Sequence, residues 1–280
     1  MIDDSPNLER HHDVIGLLPA GGQATRLAPL PCSKELYPIG FRQVGESGEL
    51  RPQVVSHYLL EKMRLAGITK AYFILRDGKW DLPAYFGDGA DLNMRLAYLT
   101  IRLSSGVPYT LDQAYPFVQH AIVVFGFPDI LFQPRDAFVR LLNRQSETNA
   151  DMVFGLFPVA QPHKWDMVEL NSDGRISRIF VKPSQSDLQY TWIIAVWTPV
   201  FSHFMHEYLA KLKTHNKGSE QRELFMSEII QQAIDHDLNV EGIRFPQHHC
   251  LDIGTPEDLV KAVRDTLILQ QKENCNKKSL

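Results

Sequence analysis

Between Val14 and Val159 the sequence alternates short runs of branched and aromatic residues with longer stretches whose apolar positions recur at helical spacing, and this restricts the fold more than any other feature. Val14 to Leu18 read as a buried strand broken by Pro19 and the pair Gly21–Gly22. Val55, Tyr58, Leu59, Met63 and Ala66 mark a helix that stops at Gly67, and Ala71 to Leu75 a second strand. "HAIVVFGF", "RDAFVRLLNRQSET" and "ADMVFGLFPV" continue as strand, helix and strand. Such alternation defines an α/β fold: a mostly parallel or mixed sheet with helices on both faces. Ligands of such sheets sit at the carboxyl ends of the strands.

From Met167 the texture changes. "MVELNSDGRISRIFVKP" reads as a hairpin turning at Asn171–Gly174, and "QYTWIIAVWTPV" as a further strand that reaches a helix through Pro199. A helix in "LFMSEIIQQAIDHD", an extended "LNVEGIRF" and a last helix with Thr255 as N-cap and Pro256 at its first position follow. No Pro/Gly/Ser-rich linker divides the chain. The expected organisation is a polar arm over 1–13, a single domain over 14–272 and a frayed basic tail over 273–280.

The 280 residues are 44% apolar and 22% charged, which suits a globular protein with a substantial core. A formal net charge of −4 offers no broad basic field for nucleic acid, so small-molecule partners are expected. The polar, acidic start lacks a signal-peptide pattern and no apolar run approaches membrane-spanning length, so no membrane association and a cytoplasmic location are expected. Cys32, Cys250 and Cys275 are odd in number and lack CxxC spacing, which suggests neither a disulfide framework nor a four-ligand zinc site. His11–His12 and His248–His249 are adjacent pairs whose side chains diverge in an extended segment, which argues against a shared ion.

The stretch "GLLPAGGQATRLAPLPCSKELYPIG", residues 16–40, carries the chemistry. A strand, a glycine-rich turn and Thr25–Arg26 form a sensible phosphate cradle, because glycines let backbone N–H groups approach an anion. Arg26 offers a planar charged fork and Lys34 a mobile point charge. Neither G-x-x-x-x-G-K-[ST] nor G-x-G-x-x-G is present, so on spacing alone an ordinary turn with two solvated cations remains an equal reading.

The same residues resemble the N-terminal signature of sugar-1-phosphate nucleotidylyltransferases, in particular the glucose-1-phosphate thymidylyltransferase group, roughly L-A-G-G-x-G-T-R-L-x-P-L-T-x-x-x-S-K-x-L-x-P. Gly21, Gly22, Thr25, Arg26, Leu27, Pro29, Leu30, Ser33, Lys34, Leu36 and Pro38 stand where that pattern has them. "YFGDGADLNMRLAY", "LDQAYPFV", "VVFGFPDILF", "DMVELNSDGRISRIFVKP", "RELFMSEII" and "HCLDIGTPEDLVKA" are similar to later family segments in family order. The resemblance implies the nucleotide-diphospho-sugar transferase fold, of the glycosyltransferase-A, Rossmann-like kind.

It also implies a reaction. A sugar 1-phosphate oxygen attacks the α-phosphorus of a nucleoside triphosphate (dTTP or UTP) and pyrophosphate leaves. Carried over by position, Ala20, Gly21, Gly22 and Thr25 line the nucleotide, with Gln113 a further nucleotide-side contact. Arg26 holds the triphosphate, Lys34 stabilises the reacting phosphates, and Lys182 holds the sugar phosphate. Glu169 accepts from sugar hydroxyls. Asp129 and Asp252 match the aspartates that bind Mg²⁺, and two hard carboxylates completed by water and phosphate oxygens suit that ion. A homo-oligomer is an expectation of the resemblance alone.

Several positions depart from the pattern. Its third glycine is Ala24, Pro19 replaces an alanine, and its Gly-Asp becomes "GFPD", which reaches Asp129 through two additional residues. Thr110 stands for a glycine before "LDQA". On the sugar side Tyr-Gly becomes Trp165–Asp166, Glu becomes Val181 and Thr-Gly becomes Ile193–Ile194, which removes hydrogen bonds that would discriminate hydroxyls. These departures keep open a second reading, a non-catalytic relative that binds a nucleotide or nucleotide sugar as a regulatory or scaffold subunit. Trp165, Trp192 and Trp197 admit core packing, which is favoured, or stacking on a ligand. Cys32 lacks the His partner of a nucleophile and reads as packing.

Overall fold

The computed structural model describes residues 12–45, 48–102, 105–215 and 222–278. The arm over 1–11 and residues 279–280 of the tail lie outside them. The chain enters at β1 (Val14–Ala20), passes through β2 (Pro38–Val44) and β3 (Glu49–Val54) into α1 (Val55–Leu65), and continues as β4 (Lys70–Arg76), α2 (Asp81–Phe86) and β5 (Arg95–Ile101). Two short helices, α3 (Val107–Asp112) and α4 (Tyr115–Val118), lead to β6 (Ile122–Gly126), β7 (Ile130–Phe132), α5 (Ala137–Thr148) and β8 (Met152–Pro158). The second half holds β9 (Met167–Leu170), β10 (Ile176–Phe180), β11 (Tyr190–Trp197), α6 (Pro199–His215), α7 (Met226–Asp235), β12 (Val240–Arg244), β13 (Cys250–Asp252) and α8 (Pro256–Lys278).

Among the described residues nine strands form one mixed sheet, as the α/β alternation implies. β5, β4, β1 and β6 lie side by side and parallel. β11 runs antiparallel to both β6 and β8, and β12 lies parallel to β8. The β9–β10 hairpin attaches where Thr191 of β11 pairs with Met167.

The two-residue period of the strands divides the core between the faces. Ile15 and Leu17 of β1, Val123 and Phe125 of β6 and Phe154 of β8 pack on one face with α3, α6 and α7. Leu18, Val124 and Val153 pack on the other with α1, α2 and α5. Local signals end the elements. Gly67 at φ +81 closes α1, and the Thr255 hydroxyl accepts the Asp258 N–H (3.2 Å) at the start of α8. In the β9–β10 turn Gly174 takes φ +88 and donates to the Asn171 carbonyl (3.0 Å).

Three local expectations change. β1 does not stop at Leu18 but runs through Pro19 to Ala20, pairing with Ile74 and Leu75 of β4. Its pairing with β6 ends at Leu17, so proline sits where one side of the strand has no ladder to supply. The segment before α1 is a β2–β3 hairpin that periodicity did not single out; Gly45 and Gly48, both at positive φ, flank its turn. The last helix extends to Lys278, so the backbone over 273–278 continues it where a frayed end was expected.

Close packing fixes β1 against its neighbours. A Cβ on Gly16 would lie 2.9 Å from both the Ala71 Cβ and the Met63 sulfur. Gly16→Ala is therefore expected to destabilise the fold by about 1–3 kcal/mol through overpacking, read as a lowered denaturant midpoint at unchanged slope.

Candidate active site

The parallel strands β1, β4 and β6 deliver three chain segments to one edge of the sheet: the signature loop after Ala20, the turn at Gly78, and the segment leading to Asp129. A fourth arrives from far along the chain. β13 pairs antiparallel with β7, setting Asp252 opposite Ile130, and the Ile253 N–H donates to the Asp129 carbonyl (3.2 Å). Asp129 and Asp252 thus stand together despite the two additional residues in "GFPD".

Their charges confirm the proximity. Lys34 forms an ion pair with Asp129, and Arg26 Nη2 lies 3.8 Å from Asp252 Oδ2. Burial would lower the Lys34 pKa, but the Asp129 carboxylate outweighs it and holds the ammonium above its ordinary value. The Asp252 carboxyl is pushed up to about 6, by burial first and then by the negative charge of Asp129, against the opposing pull of Lys34 and Arg26. An acidic pair that repels itself between two cations is suited to a dication and to phosphate oxygens. The donor set, two hard carboxylates, fits a divalent metal.

The D-x-G-T spacing acquires a geometric reason here. A Cβ on Gly254 would lie 2.6 Å from Arg26 Nη2 and 2.8 Å from Asp252 Oδ2, so glycine lets the guanidinium and the carboxylate meet over it without either side chain shifting.

The cradle itself is open at Gly22, where an added Cβ would meet nothing within 4 Å. At Gly21 it would lie 3.3 Å from Thr110 Oγ1, so Thr110 fills space beside the loop. Ala24 adopts φ +53, a left-handed conformation that explains a glycine in the resembled pattern and that a methyl group occupies at a cost of about 1–2 kcal/mol. Its carbonyl still closes a turn by accepting the Leu27 N–H (2.9 Å). Ala20 is buried at the end of β1, while Thr25 and Arg26 are exposed.

Lys34 is held from behind. Ser33 donates both its N–H (2.6 Å) and its hydroxyl (2.7 Å) to Asp81 at the start of α2. Glu35, 1% exposed, accepts two hydrogen bonds from Lys79 (2.7 and 2.9 Å), and Ser56 donates to the Glu35 carbonyl (2.7 Å). A cavity of about 330 Å³ opens between the signature loop and the β4–α2 turn, lined on its basic side by Lys34, Arg76 and Lys79. Asp81, Lys79 and Arg76 escaped the sequence reading. Arg76 ends β4 and the other two follow it by a few residues, and that position at a strand end is the signal that would have found them.

The remaining expected residues stand on other elements: β9, the end of α3 and the segment after β10. Lys182, at φ +38, is exposed; its ammonium lies 5.0 Å from the Phe225 ring centre and its N–H donates to Asp166 (3.3 Å). Asp166 also accepts from the Ser227 hydroxyl (2.6 Å), which in turn accepts the indole N–H of Trp192 (2.9 Å). Burial raises the Asp166 carboxyl above its ordinary range. Glu169 is exposed on β9, and Gln113 is exposed at the end of α3 with its amide on the Tyr109 carbonyl (3.4 Å). Ile193 and Ile194 lie in the core at an irregularity of β11, which puts both consecutive side chains into the same apolar cluster. Trp192 and Trp197 are core residues, 5% and 1% exposed.

Comparison with known proteins agrees with this architecture. Residues 15–268 match the family model described as Nucleotidyl transferase. The chain is 24% identical over 256 residues, 90% of its length, to a glucose-1-phosphate thymidylyltransferase of Streptomyces antibioticus, and 24% identical over 266 residues, 92% of its length, to one of Streptomyces griseus. The matches span 65% and 66% of those relatives' own lengths, just under two thirds. An apo-UDP-glucose pyrophosphorylase structure superposes with a TM-score of 0.72 at 15% identity, over 95% of this chain and 99% of that one. The sheet with its glycine loop at the end of β1 places the chain among nucleotide-diphospho-sugar transferase folds. More narrowly, the chain belongs to the nucleotidyl transferase family.

The buried pair beneath Lys34 yields a direct test. Lys79→Met leaves Glu35 charged and unpaired inside the protein and is expected to cost about 3–5 kcal/mol, while the double change with Glu35→Leu recovers most of it. Chemical denaturation of both variants measures the difference.

Proposed function

We propose that the protein is a Mg²⁺-dependent nucleotidylyltransferase that joins the nucleoside monophosphate part of dTTP or UTP to a sugar 1-phosphate or a related phosphorylated small molecule. The observation that carries the reading is the convergence of Lys34, Asp129, Asp252 and Arg26 at the strand ends beside the glycine loop.

A phosphate oxygen of the acceptor forms a bond to the α-phosphorus as the bond to the bridging oxygen of the leaving pyrophosphate breaks. The attacking group is already ionised, so no side chain need remove a proton. The work is alignment of two anions and neutralisation of the charge that moves to the leaving group. Backbone at Ala20, Gly21 and Gly22 with Thr25 approaches the nucleotide, and Gln113 lies on its flank. Arg26 faces the triphosphate and Lys34 the reacting phosphates. Asp129 and Asp252 would hold the Mg²⁺, which supplies positive charge to the phosphate oxygens. Lys182 takes the acceptor phosphate and Glu169 its hydroxyls, while Asp166 fixes the Lys182 backbone. Small-molecule substrates, action without nucleic acid or membrane, a cytoplasmic setting and homo-oligomer formation complete the proposal.

One observation favours a second reading. The acceptor side has exchanged backbone donors for the Trp192–Ser227–Asp166 relay, whose hydrogen bonds are already committed to one another. A relative that binds nucleotide without transferring it fits that feature. The two are separated by pyrophosphate release over a matrix of nucleoside triphosphates and sugar 1-phosphates with Mg²⁺: turnover supports the enzyme, and tight nucleotide binding with silence across the matrix supports the binding protein.

In the active protein, Lys34→Ala is expected to lower pyrophosphate release by about 10²–10³-fold, the range for loss of a charge-stabilising group. Asp252→Asn removes one of two repelling charges. In metal-free buffer it is expected to raise stability by about 1 kcal/mol while abolishing the metal's effect on turnover. Thermal melts with and without Mg²⁺, set beside the assay, check both halves.

A further inference from the structure

A second cavity, about 490 Å³, lies beside the active-site loop and is used by none of the chemistry above. The β2–β3 hairpin forms one wall, His57 of α1 another, and Tyr85 and Phe86 of α2 a third. Its size is that of small-molecule sites, and most of its lining, including Val54, Phe86 and Leu92, is apolar.

The polar groups on this apolar background are unusual. Arg42 and Arg51 are directly paired across the hairpin, so their side chains share a face, and both line the cavity. Like charges directly opposite on a ribbon repel, and an anion between them removes the cost. Arg51 shares its charge with Glu49 (3.0 Å), whereas the Arg42 Nε is buried without a hydrogen-bond partner among the described residues. His57 is 1% exposed, and its Nδ1 also has no partner among the described residues. The Tyr85 and Phe86 rings lie edge-on to the imidazole at 5.6 and 5.1 Å. Burial first, and then the charge of Arg42, bring the His57 pKa down to about 4, so the ring is a neutral hydrogen-bonding group at physiological pH. The one acid of the lining among the described residues, Asp91, is exposed.

Two arginines, one buried neutral imidazole and an apolar floor match a ligand with an oxyanion at one end and an apolar or flat body at the other. We propose that this cavity is a binding site for a small phosphate ester of that kind, its oxyanion held by Arg42 and Arg51 and hydrogen-bonded to His57, with its body against Phe86 and Leu92. Two elements link it to the active site. Leu36, in its lining, ends the turn that begins at Lys34, and Tyr85 and Phe86 end the helix whose first residue, Asp81, clamps Ser33. Occupancy should therefore alter nucleotide affinity, with the reciprocal effect of equal size.

The test is calorimetry of the full chain with phenyl phosphate, inorganic phosphate and phenylacetate, followed by histidine ring NMR. Phenyl phosphate is expected to bind more tightly than inorganic phosphate and to shift the His57 signals. Arg42→Gln and the more exposed Arg51→Gln should each weaken it about tenfold or more, and Lys34→Ala should leave it unchanged. Tighter binding of phenylacetate would identify a carboxylate as the oxyanion and overturn the phosphate ester assignment. Absence of saturable binding up to about 10 mM, indifference to both arginine changes, or loss only in Lys34→Ala would overturn the site. Because binding is read without turnover, failure here leaves the catalytic reading untouched, and a silent assay there leaves this one intact.

Discussion

The pairing of β7 with β13 is the constraint on which the site hangs. Three residues on each side suffice to bring Asp129, just past the middle strand of the sheet, next to Asp252 near the end of the domain. The entropy of closing so long a loop grows only slowly with its length, so a short ladder backed by the small apolar cluster of Ile39, Val55, Ile253 and Ala262 holds it. That cluster also seats α8 against β2 and its neighbours, so the last helix locks the carboxylates in place from behind. Without this pairing Lys34 would face one acid and Arg26 none.

The arrangement is electrostatically poised rather than relaxed. Asp252 is pushed up by its burial and its neighbour, and Glu35 is pushed up by burial beneath the same turn, yet both acids lie within reach of cations. Fixed charges in a partly dry setting act strongly on an incoming phosphate, because nothing has to reorganise when it arrives. The left-handed Ala24 adds strain to the same loop. Buried, mutually repelling acids and a strained backbone gathered around one loop are what a binding or reacting site leaves behind.

Much of this was legible in the chain. Helix and strand periods located the sheet and its two helical faces, and the family resemblance carried by Gly21, Gly22, Arg26, Ser33 and Lys34, which spacing alone left open, singled out the loop. The pose of Asp129 was not legible, because the two residues inserted in "GFPD" are absorbed by pairing with a strand more than a hundred positions away. The β2–β3 hairpin escaped because its faces alternate only weakly: Phe41 and Leu50 are exposed while Arg42 turns to a cavity. Ile193–Ile194, placed on the acceptor side by the resemblance alone, lie in the core, because an irregularity of β11 sends both consecutive side chains into one apolar cluster.

The surroundings of Lys34 and of Lys182 also differ in how they are built. Around Lys34 the groups that face outward are cations and carboxylates backed by a second layer, Asp81 behind Ser33 and Lys79 behind Glu35. Around Lys182 the comparable polar groups are turned toward each other, Trp192 to Ser227, Ser227 to Asp166, and Asp166 to the Lys182 backbone. A side chain whose hydrogen bonds are satisfied internally positions its neighbours and has little left with which to read a ligand's hydroxyls. The exposed Lys182 ammonium is the exception, resting over Phe225 with its charge toward solvent. On the proposed function, cations await an anion at both ends and the body of the acceptor is left to be selected by shape and aromatic surface, a division of labour that follows from which polar atoms remain unspent.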